Sequence, residues 1–386
     1  MDSDLVPNLD QLPEYPGRLG VQQRVLPSYR AGFFEALARA CRGGLSVIAG
    51  QPQHDESIAA AAQLSAPRFV VARNLHLGSV RQPYYLCWQR GLVEWLEEWQ
   101  PDALVVEANP RYLSTYRAAD WMHRRGRPVI GWGLGAPNAG REPVGFWGAI
   151  GSIGRRRFYR NFDGMIAYSR RGADEYRALG FSAQCVFVAP NVVVNRPTED
   201  APLRPIEKEG RQKVLFVGRL QERKRLDNLL RACAGLETGL QPQLTIVGEG
   251  PALTGLQQLA QEIYPQVEFA GAVHGPALES YFVAADLFVL PGTGGLAVQQ
   301  AMGHSLPVIA AEGDGTQDDL VRPENGWRVP ANDITALQSA LREALSDLQR
   351  LRKMGSQSLR IVRDEFNIEA MVAGFVAAVA SISIAE

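Results

Sequence analysis

The chain has 386 residues, of which 46% are hydrophobic and 21% are charged, and its formal net charge is −1. This length predicts two or three domains with large cores, and the composition is typical of a soluble globular protein. A charge balance so close to neutrality gives no indication of broad binding of nucleic acid. The four cysteines and five histidines are scattered, without the spacing of a metal site or of a disulfide framework.

The first twenty residues are polar and contain prolines, so we do not expect a signal peptide there. No apolar run looks long enough to span a bilayer. The scattered cysteines suit a reducing compartment. These features together predict a cytoplasmic protein.

Short apolar runs alternate with helical patterns through the first half of the chain. The strand-like runs are at 22–26, 45–49, 69–72, 103–106, 129–132, 165–168 and 185–188. The helical patterns are near 31–42, with Ser28 as a predicted N-cap, and at 84–99, 112–124 and 172–179. Alternation of this kind predicts a parallel sheet covered by helices on both faces.

The segment 190–212 interrupts this alternation with prolines at 190, 197, 202 and 205, many charges and no periodicity. Such a segment indicates an interdomain linker. After it, strands are predicted at 214–217, 244–247, 267–270, 287–290 and 308–310, with helices near 226–236, 252–263, 277–284 and 296–303. Three longer helical patterns follow at 334–345, 348–364 and 369–380. The sequence therefore predicts an α/β protein of two successive doubly wound domains.

A candidate binding site follows the first strand of the second half. The apolar run 214–217 ends at Gly218, where a glycine lets the backbone approach a ligand closely. Arg219 and Lys224 come next, before a helical pattern that begins near Arg225. Two cations at a helix N-terminus that follows a strand favour an anion such as a phosphate or diphosphate. The alternative is a solvated basic loop.

The second half carries an ordered set of motifs. They are Phe216-Val-Gly-Arg-Leu with Lys224, Leu244-Thr-Ile-Val-Gly-Glu-Gly-Pro, Val267-Glu-Phe-Ala-Gly, Ala285-Asp-Leu-Phe-Val-Leu-Pro, Gly295-Leu with Ala301-Met, Leu306-Pro-Val-Ile, and Asn325-Gly. Over about residues 213–330, their order and spacing resemble the family 4 retaining glycosyltransferases, also called glycosyl transferases group 1.

This resemblance implies the GT-B architecture, in which two doubly wound Rossmann-like domains face each other across a cleft. It places an acceptor domain at 1–195, a linker at 196–212 and a nucleotide-sugar donor domain at 213–368. It also implies that the C-terminal helix, 369–386, crosses back to the first domain.

The resemblance further implies roles for residues of the donor domain. Arg219 and Lys224 correspond to the catalytic cation pair that grips the diphosphate and stabilises it as it leaves. The other donor-binding candidates are Gly218, Gly271, Val273, His274, Gly292, Thr293, Gly294, Gly295, Leu296 and Gln300. Residues 293–296 precede a helix, so their N–H groups can face a phosphate. For His274, the alternative is an ordinary exposed loop histidine.

Two carboxylates of the family pattern are missing. The family carries a glutamate, seven intervening residues and a second glutamate, and the alignment places Gly292 and Gln300 at these positions. Gln300 can still hydrogen-bond ribose hydroxyls, whereas Gly292 offers only backbone. A catalytically degenerate partner protein that binds nucleotide sugar is therefore one alternative. A sugar-nucleotide epimerase of the same fold is another, although that class lacks the Gly-Arg-Leu…Lys pattern.

The first half supplies candidates for the acceptor side. Tyr29 and Arg30 lie between the first strand and the first helix, and Glu107 ends a strand. For Tyr29 and Arg30 the alternative is a capping and packing loop, and for Glu107 it is a salt bridge to Arg111. Leu134 stands where relatives often have a histidine, and the resemblance implies that the leaving phosphate acts as the base.

Aromatic residues followed by a basic cluster at Phe146–Arg160 suggest peripheral contact with an anionic membrane or a lipid-linked acceptor. The alternative is a helix packed on its own domain with a solvated basic end. The expected function is transfer of a hexose from a nucleotide-diphosphate sugar to a hydroxyl of a glycan or glycolipid, in cell-surface polysaccharide synthesis. We expect no cofactor, no obligatory metal and no nucleic-acid partner, and a place in the cytoplasm or at the inner face of the membrane.

Overall fold

The structure is a computed structural model that describes residues 13–56, 58–137, 153–199, 202, 204–205 and 210–384. The chain divides into two compact units. Unit 1 comprises Met1–Val193 and Ile368–Glu386, and unit 2 comprises Val194–Asn367.

Unit 1 is built on a parallel sheet of seven strands. The strands of the unit are β1 Leu19–Val25, β2 Leu45–Gly50, β3 Arg68–Val71, β4 Arg73–Leu77, β5 Leu86–Arg90, β6 Ala103–Glu107, β7 Val129–Gly133, β8 Gly164–Ala167 and β9 Val186–Val188. The order in the sheet is β3-β2-β1-β6-β7-β8-β9, while β4 and β5 pair separately. The strand order therefore reverses between β1 and β6, and sheets of this kind bind ligands at such a point.

Helices connect these strands and fill the core of unit 1. They are α1 Ala31–Arg39, α2 Leu92–Trp99, α3 Ser114–His123, α4, described from 153 to 159, and α5 Arg170–Ala178. Phe33 of α1 packs against Trp132 of β7, with ring centroids 5.7 Å apart. It also packs against Phe375 of the C-terminal helix at 5.3 Å. This aromatic cluster joins the first and last helices of the unit to each other and to β7.

Two local predictions for unit 1 are wrong. The pattern at 84–99 is not one helix, because β5 pairs antiparallel with β4 and α2 begins only after Gly91. Gly91 has a φ of 87°, which separates the strand from the helix. Ser28 does not cap α1: it begins a 3-10 turn, and no side-chain cap hydrogen bond is formed there.

Unit 2 is built on a second parallel sheet. Its strands are β10 Lys213–Val217, β11 Gln243–Val247, β12 Glu268–Gly271, β13 Leu287–Leu290, β14 Val308–Ala311 and β15 Gly326–Val329, in the order β12-β11-β10-β13-β14-β15. Its helices are α6 Leu226–Ala234, α7 Leu253–Ile263, α8 Pro276–Ala284, α9 Ala297–Gly303, α10 Thr316–Leu320, α11 Ile334–Ser346 and α12 Leu348–Asp364. The predicted α/β class with two doubly wound parallel sheets is confirmed, and β15 is a strand that the prediction missed.

The last helix, α13 Ile368–Ile384, belongs to unit 1. Within the described residues, the stretch Leu348–Ser383, which contains α12 and most of α13, is long and apolar enough to cross a membrane by length and composition alone. Its most apolar window is 61% buried, as expected for helices of a protein core. The prediction that no apolar run is long enough to span a bilayer was therefore too strict.

Candidate functional site

Backbone hydrogen bonds connect the loops that follow β10, β11 and β12. The N–H of Gly218 donates to Val247 O at 3.0 Å, and the N–H of Gly248 donates to Gly271 O at 2.7 Å. A Cβ atom on Gly248 would lie 2.0 Å from Gly218 O. Only glycine permits this approach, so the Gly-Glu-Gly motif serves to hold the three loops together.

As the sequence predicted, Lys224 lies just before the N-terminus of the helix that follows β10. It ends a 3-10 turn, Glu222–Lys224, and Arg225 adopts a left-handed conformation with φ of 52° before α6 begins. This turn directs the Lys224 side chain inward, where it is only 6% exposed. Arg219, which follows Gly218 at the end of β10, is half-buried.

The Lys224 ammonium lies against the loop between β13 and α9. Its Nζ donates to Thr293 O at 2.9 Å, and the N–H of Thr293 donates to Arg223 O at 3.1 Å. A Cβ atom on either Gly294 or Gly295 would lie 3.7 Å from Nζ. The structure thus brings together two regions that the sequence predicted separately, the cation after β10 and the glycine loop after β13.

Three backbone donors of this loop have no acceptor in the part of the chain that the structure describes. They are the N–H groups of Gly294, Gly295 and Leu296. Gly294 and Gly295 have φ angles of 71° and 125°, which favour glycine. Successive N–H groups in such conformations form concavities that bind anions. Thr293 differs from the prediction, because its N–H is already used by Arg223 O.

The electrostatics of Lys224 follow from this geometry. The pKa of its ammonium is lowered to about 8, mainly by burial and also by the neighbouring Arg223, while Asp314 opposes the shift. At pH 7 the side chain is therefore mainly charged, although it is held in a site that disfavours the charge. A bound anion beside Nζ would relieve that cost.

Arg223 is a site residue that the sequence reasoning missed. Its Nη1 lies 3.5 Å from Thr293 O, and a Cβ atom on Gly294 would lie 3.3 Å from it. The basic run 219–225 contained this signal, but only the fold shows which of its cations reach the glycine loop. Arg223 and Lys224 thus meet the same carbonyl from adjacent positions.

Gly292 is a packing glycine. A Cβ atom on it would lie 2.3 Å from Arg223 O and 2.6 Å from Lys224 C. The backbone of the turn therefore fills the space that a side chain at this position would need. This close approach gives a physical reason for a glycine where the family pattern has its first glutamate.

The remaining donor candidates lie outside this loop. Gln300 is half-buried on α9, and His274 is exposed and Val273 half-buried after β12. His274 makes no hydrogen bond or ion pair with the described residues. The structure alone gives none of the three a ligand role, so their roles stay predictions.

Arg30 favours the packing alternative in unit 1. Its guanidinium is 6% exposed and lies 4.7 Å from the ring centroid of Trp132. It donates to Tyr168 Oη at 2.8 Å, to Asn191 Oδ1 at 3.3 Å and to Gln23 Oε1. Its donors are engaged within the unit, whereas the neighbouring Tyr29 is 43% exposed.

Glu107 is half-buried at the end of β6, beside the point where the strand order reverses. Its Oε2 accepts from the N–H of Arg24 at 2.8 Å. Burial raises the pKa of its carboxyl, and the charge of Arg30 opposes that shift. Arg111 donates instead to Asn109 Oδ1 at 3.4 Å, and it makes no ion pair with Glu107. The salt-bridge alternative is therefore not observed.

The predicted membrane contact at Phe146–Arg160 lies largely outside the described residues, which resume at 153. Within the described residues, no group of three or more His, Cys, Asp or Glu side chains is placed to hold a metal ion.

Comparison with known proteins extends these observations. Residues 199–360 match the family model of glycosyl transferases group 1. A GDP-mannose-dependent alpha-(1-6)-phosphatidylinositol monomannoside mannosyltransferase of Mycolicibacterium smegmatis is 30% identical over 219 residues, which cover 52% of this chain and 57% of that protein. The putative colanic acid biosynthesis glycosyltransferase WcaL of Salmonella typhimurium is 27% identical over 233 residues, 56% of each chain. The matches therefore span little more than half of these relatives.

Solved structures share the fold over nearly the whole chain. The Anabaena protein Alr3699/HepE in complex with UDP has a TM-score of 0.66 at 15% identity, covering 94% of this chain and 99% of its own. Sucrose-phosphate synthase from Thermosynechococcus elongatus has a TM-score of 0.67 at 20% identity, covering 92% and 96%. These structures confirm the GT-B fold. Residues 199–360 therefore match the family whose resemblance the motifs of the second half predicted.

Proposed function

We propose that the chain is a glycosyltransferase that moves a hexose from a nucleotide-diphosphate sugar to a hydroxyl of a glycan or glycolipid. The observation that carries this proposal is the loop 292–296 with Lys224. A buried ammonium donates to a loop that carries three backbone N–H groups without acceptors in the described chain, in the region that matches a glycosyltransferase family. That arrangement suits the diphosphate of a sugar nucleotide.

The chemistry that these residues supply is stabilisation of a leaving group. As the bond between the sugar and the diphosphate breaks, negative charge grows on the phosphate oxygens. Cations and N–H groups fixed before the reaction stabilise that charge without reorganising. We assign this role to Lys224, Arg219 and Arg223. The glycosidic bond then forms to the acceptor oxygen, whose proton passes to the leaving phosphate, with retention of the anomeric configuration.

The same cations carry the proposal that no metal is obligatory. A metal ion at a transferring group neutralises developing charge, and a Lys–Arg cluster performs the same task. Transfer should therefore persist in a chelator such as EDTA. Complete loss of activity on chelation, restored by one divalent cation, would show that the cations of the chain are insufficient.

The relatives suggest which donors and acceptors to test. The name of the Mycolicibacterium smegmatis relative specifies GDP-mannose and phosphatidylinositol monomannoside. The name of the Salmonella typhimurium relative specifies colanic acid biosynthesis and no donor. We propose a nucleoside-diphosphate hexose, with GDP-mannose as the first candidate. We also propose a lipid-linked or polysaccharide acceptor, used at the cytoplasmic face of the membrane.

The direct test is a transfer assay with a panel of GDP- and UDP-hexoses and lipid-linked acceptors, with products identified by mass spectrometry and their anomeric configuration by NMR. Lys224→Met should reduce transfer at least tenfold. Lys353→Met replaces an exposed lysine of α12 and should leave transfer unchanged. Equal activity of the two variants would exclude Lys224 from the reaction.

A second function is favoured by one observation, the absence of room for a side chain at Gly292. Without the family carboxylate, the chain could bind nucleotide sugar as a partner of another transferase. Tight donor binding in calorimetry, combined with neither transfer nor donor hydrolysis across the panel, would support this second function.

A further inference from the structure

The hairpin formed by β4 and β5 has two different faces. Its strands pair antiparallel, with Arg73 opposite Arg90, Leu75 opposite Trp88 and Leu77 opposite Leu86. Because side chains alternate along a strand, these residues share one face. We call Arg73, Leu75, Leu77, Trp88 and Arg90 the hairpin face; all five are exposed.

The opposite face is fixed to unit 1 by hydrogen bonds. Asn74 Nδ2 donates to Arg24 O at 2.8 Å, and Gln89 Oε1 accepts from Gln22 Nε2 at 2.9 Å. Gln89 itself is 3% exposed. Since these polar groups are buried and paired with β1, turning the hairpin over would leave them without partners. The hairpin face is therefore held on the outside of the unit.

The hairpin face and its flanks are unusually apolar for an exposed surface. Ten large hydrophobic side chains are exposed in the described part of the chain, and five of them lie between 71 and 88. They are Val71 at 57%, Leu75 at 42%, Leu77 at 66%, Tyr84 at 63% and Trp88 at 39% exposed. Scattered apolar residues on a surface need no explanation, but a contiguous patch marks an interaction site.

The charge of this region is entirely positive. Residues 57–93 contain four arginines and no aspartate or glutamate. Arg68 pairs with Glu98, but Arg73 and Arg90 form no ion pair with the described residues. The preceding carboxylates are both engaged, since Asp55 accepts from Ser79 Oγ and Glu56 pairs with Arg24. An anionic partner is therefore complementary to the hairpin face.

We propose that the hairpin face docks on the surface of a bilayer that contains anionic lipid. Leu77 and Tyr84 flank the turn, Leu75 and Trp88 follow, and Arg73 and Arg90 lie farthest from it. Leu77 is four positions after Arg73 along β4, which is a distance of about 13 Å at a rise of about 3.3 Å per residue. This order places apolar and aromatic side chains towards the turn, where Arg81 Nη2 donates to Asp55 O at 2.8 Å, and Arg73 and Arg90 at the other end. It matches an interface in which apolar side chains enter the boundary with the acyl chains and arginines contact the phosphates. An acidic protein partner would not require that order.

Vesicle flotation tests the proposal with the full chain and without any donor, so its outcome is independent of whether transfer is detected. Wild-type protein should float with phosphatidylcholine vesicles that contain phosphatidylglycerol, and much less with phosphatidylcholine alone. Leu75→Ser/Leu77→Ser should weaken vesicle binding by more than about tenfold, because the apolar area that enters the interface is lost. Val283→Ser, at a side chain 47% exposed on α8, is the matched control and should bind like wild type.

The charge contribution is tested separately. Arg73→Gln/Arg90→Gln should weaken binding to the anionic vesicles by roughly 25-fold, at about fivefold per arginine, and should leave binding to neutral vesicles unchanged. Lys353→Gln is the control for an exposed cation and should have no effect.

Three results would overturn the proposal. Wild-type protein that fails to float with anionic vesicles excludes a bilayer as the partner. Hairpin variants that bind like wild type place any membrane contact elsewhere in the chain. If Leu75→Ser/Leu77→Ser abolishes self-association in light scattering but not vesicle binding, the face joins two copies of the chain instead.

Discussion

Arg24 in unit 1 and Lys224 in unit 2 are both buried cations, but only Arg24 is saturated by partners. Its two Nη atoms pair with Glu56 at 2.8 and 2.5 Å, and its Nε donates to Tyr112 Oη at 3.1 Å. Lys224 has one carbonyl acceptor, Thr293 O, and lies beside backbone N–H groups that also lack acceptors in the described chain. A buried cation with all its donors engaged stabilises a fold, whereas one grouped with spare donors is arranged for an anion.

The largest effect should come from breaking the saturated pair. The side chains of Arg24 and Glu56 are 8% and 4% exposed, so Arg24→Met leaves a buried carboxylate without its cation. We expect the free energy of unfolding of unit 1 to fall by about 3–5 kcal/mol. Chemical denaturation followed by near-UV circular dichroism measures this loss. The double variant Arg24→Met/Glu56→Met should recover most of it, and no recovery would show that the pair does not act as a unit.

Lys224→Met should behave in the opposite way. Removing a cation that burial disfavours should raise the melting temperature of the unliganded protein. The hydrogen bond to Thr293 O stabilises the fold by less than burial of the charge destabilises it. Nucleoside-diphosphate affinity should fall by about 1–3 kcal/mol, the usual contribution of a charge-assisted contact. Calorimetry and thermal unfolding of the same variant measure both. A variant that loses stability and keeps its affinity would place Lys224 with Arg24 as a structural cation.

The pKa of Lys224 predicts opposite pH dependences for binding and for stability. The free site loses its proton near pH 8, so diphosphate affinity should decline as the pH rises above about 8. In the unfolded chain a lysine keeps its proton to about pH 10.4. Above pH 8 the unfolded state therefore binds more protons, and the contribution of Lys224 to stability rises with pH until about 10.4.

Both trends should be absent from Lys224→Met, so the difference between wild type and variant isolates this group from the other titrating residues. Affinities for GDP measured by calorimetry from pH 6.5 to 9.5 test the first trend, and denaturation midpoints over the same range test the second. A wild-type affinity that stays flat through pH 8 would show that the ammonium does not face the diphosphate.

Local pattern predicted the framework of this fold but not the details that distinguish its two buried cations. Apolar runs such as 214–217 and 287–290 fix strands because a parallel sheet buries both of its faces. The β4–β5 hairpin was missed because a strand of five residues shows too few alternations of polar and apolar side chains to be distinguished from the helical pattern beside it. Its polar face is set by contacts with β1, far away in the chain. Gly292 likewise looks like a lost carboxylate in sequence, and only the close approach of the Arg223 carbonyl shows why no side chain fits.

The smallest predicted effect concerns Gln300, the second position where the family pattern has a glutamate. Gln300 is half-buried on α9, which follows the glycine loop, and its side chain could meet a ribose hydroxyl there. A glutamate would accept hydroxyl hydrogen bonds with charge assistance, worth about 0.5–1.5 kcal/mol more than the amide provides. It would also be repelled by the diphosphate, and Lys224 and Arg219 offset only part of that repulsion. We expect the ribose contact to dominate, so Gln300→Glu should keep or tighten donor binding, while Gln300→Leu should weaken it by leaving hydroxyls unpaired.

Gln257→Leu, at an exposed glutamine of α7, is the matched control for loss of an amide in calorimetry with a nucleotide sugar. Equal donor affinity of wild type and Gln300→Leu would mean that Gln300 does not contact the ribose, and that the alignment of the second carboxylate with this position is wrong.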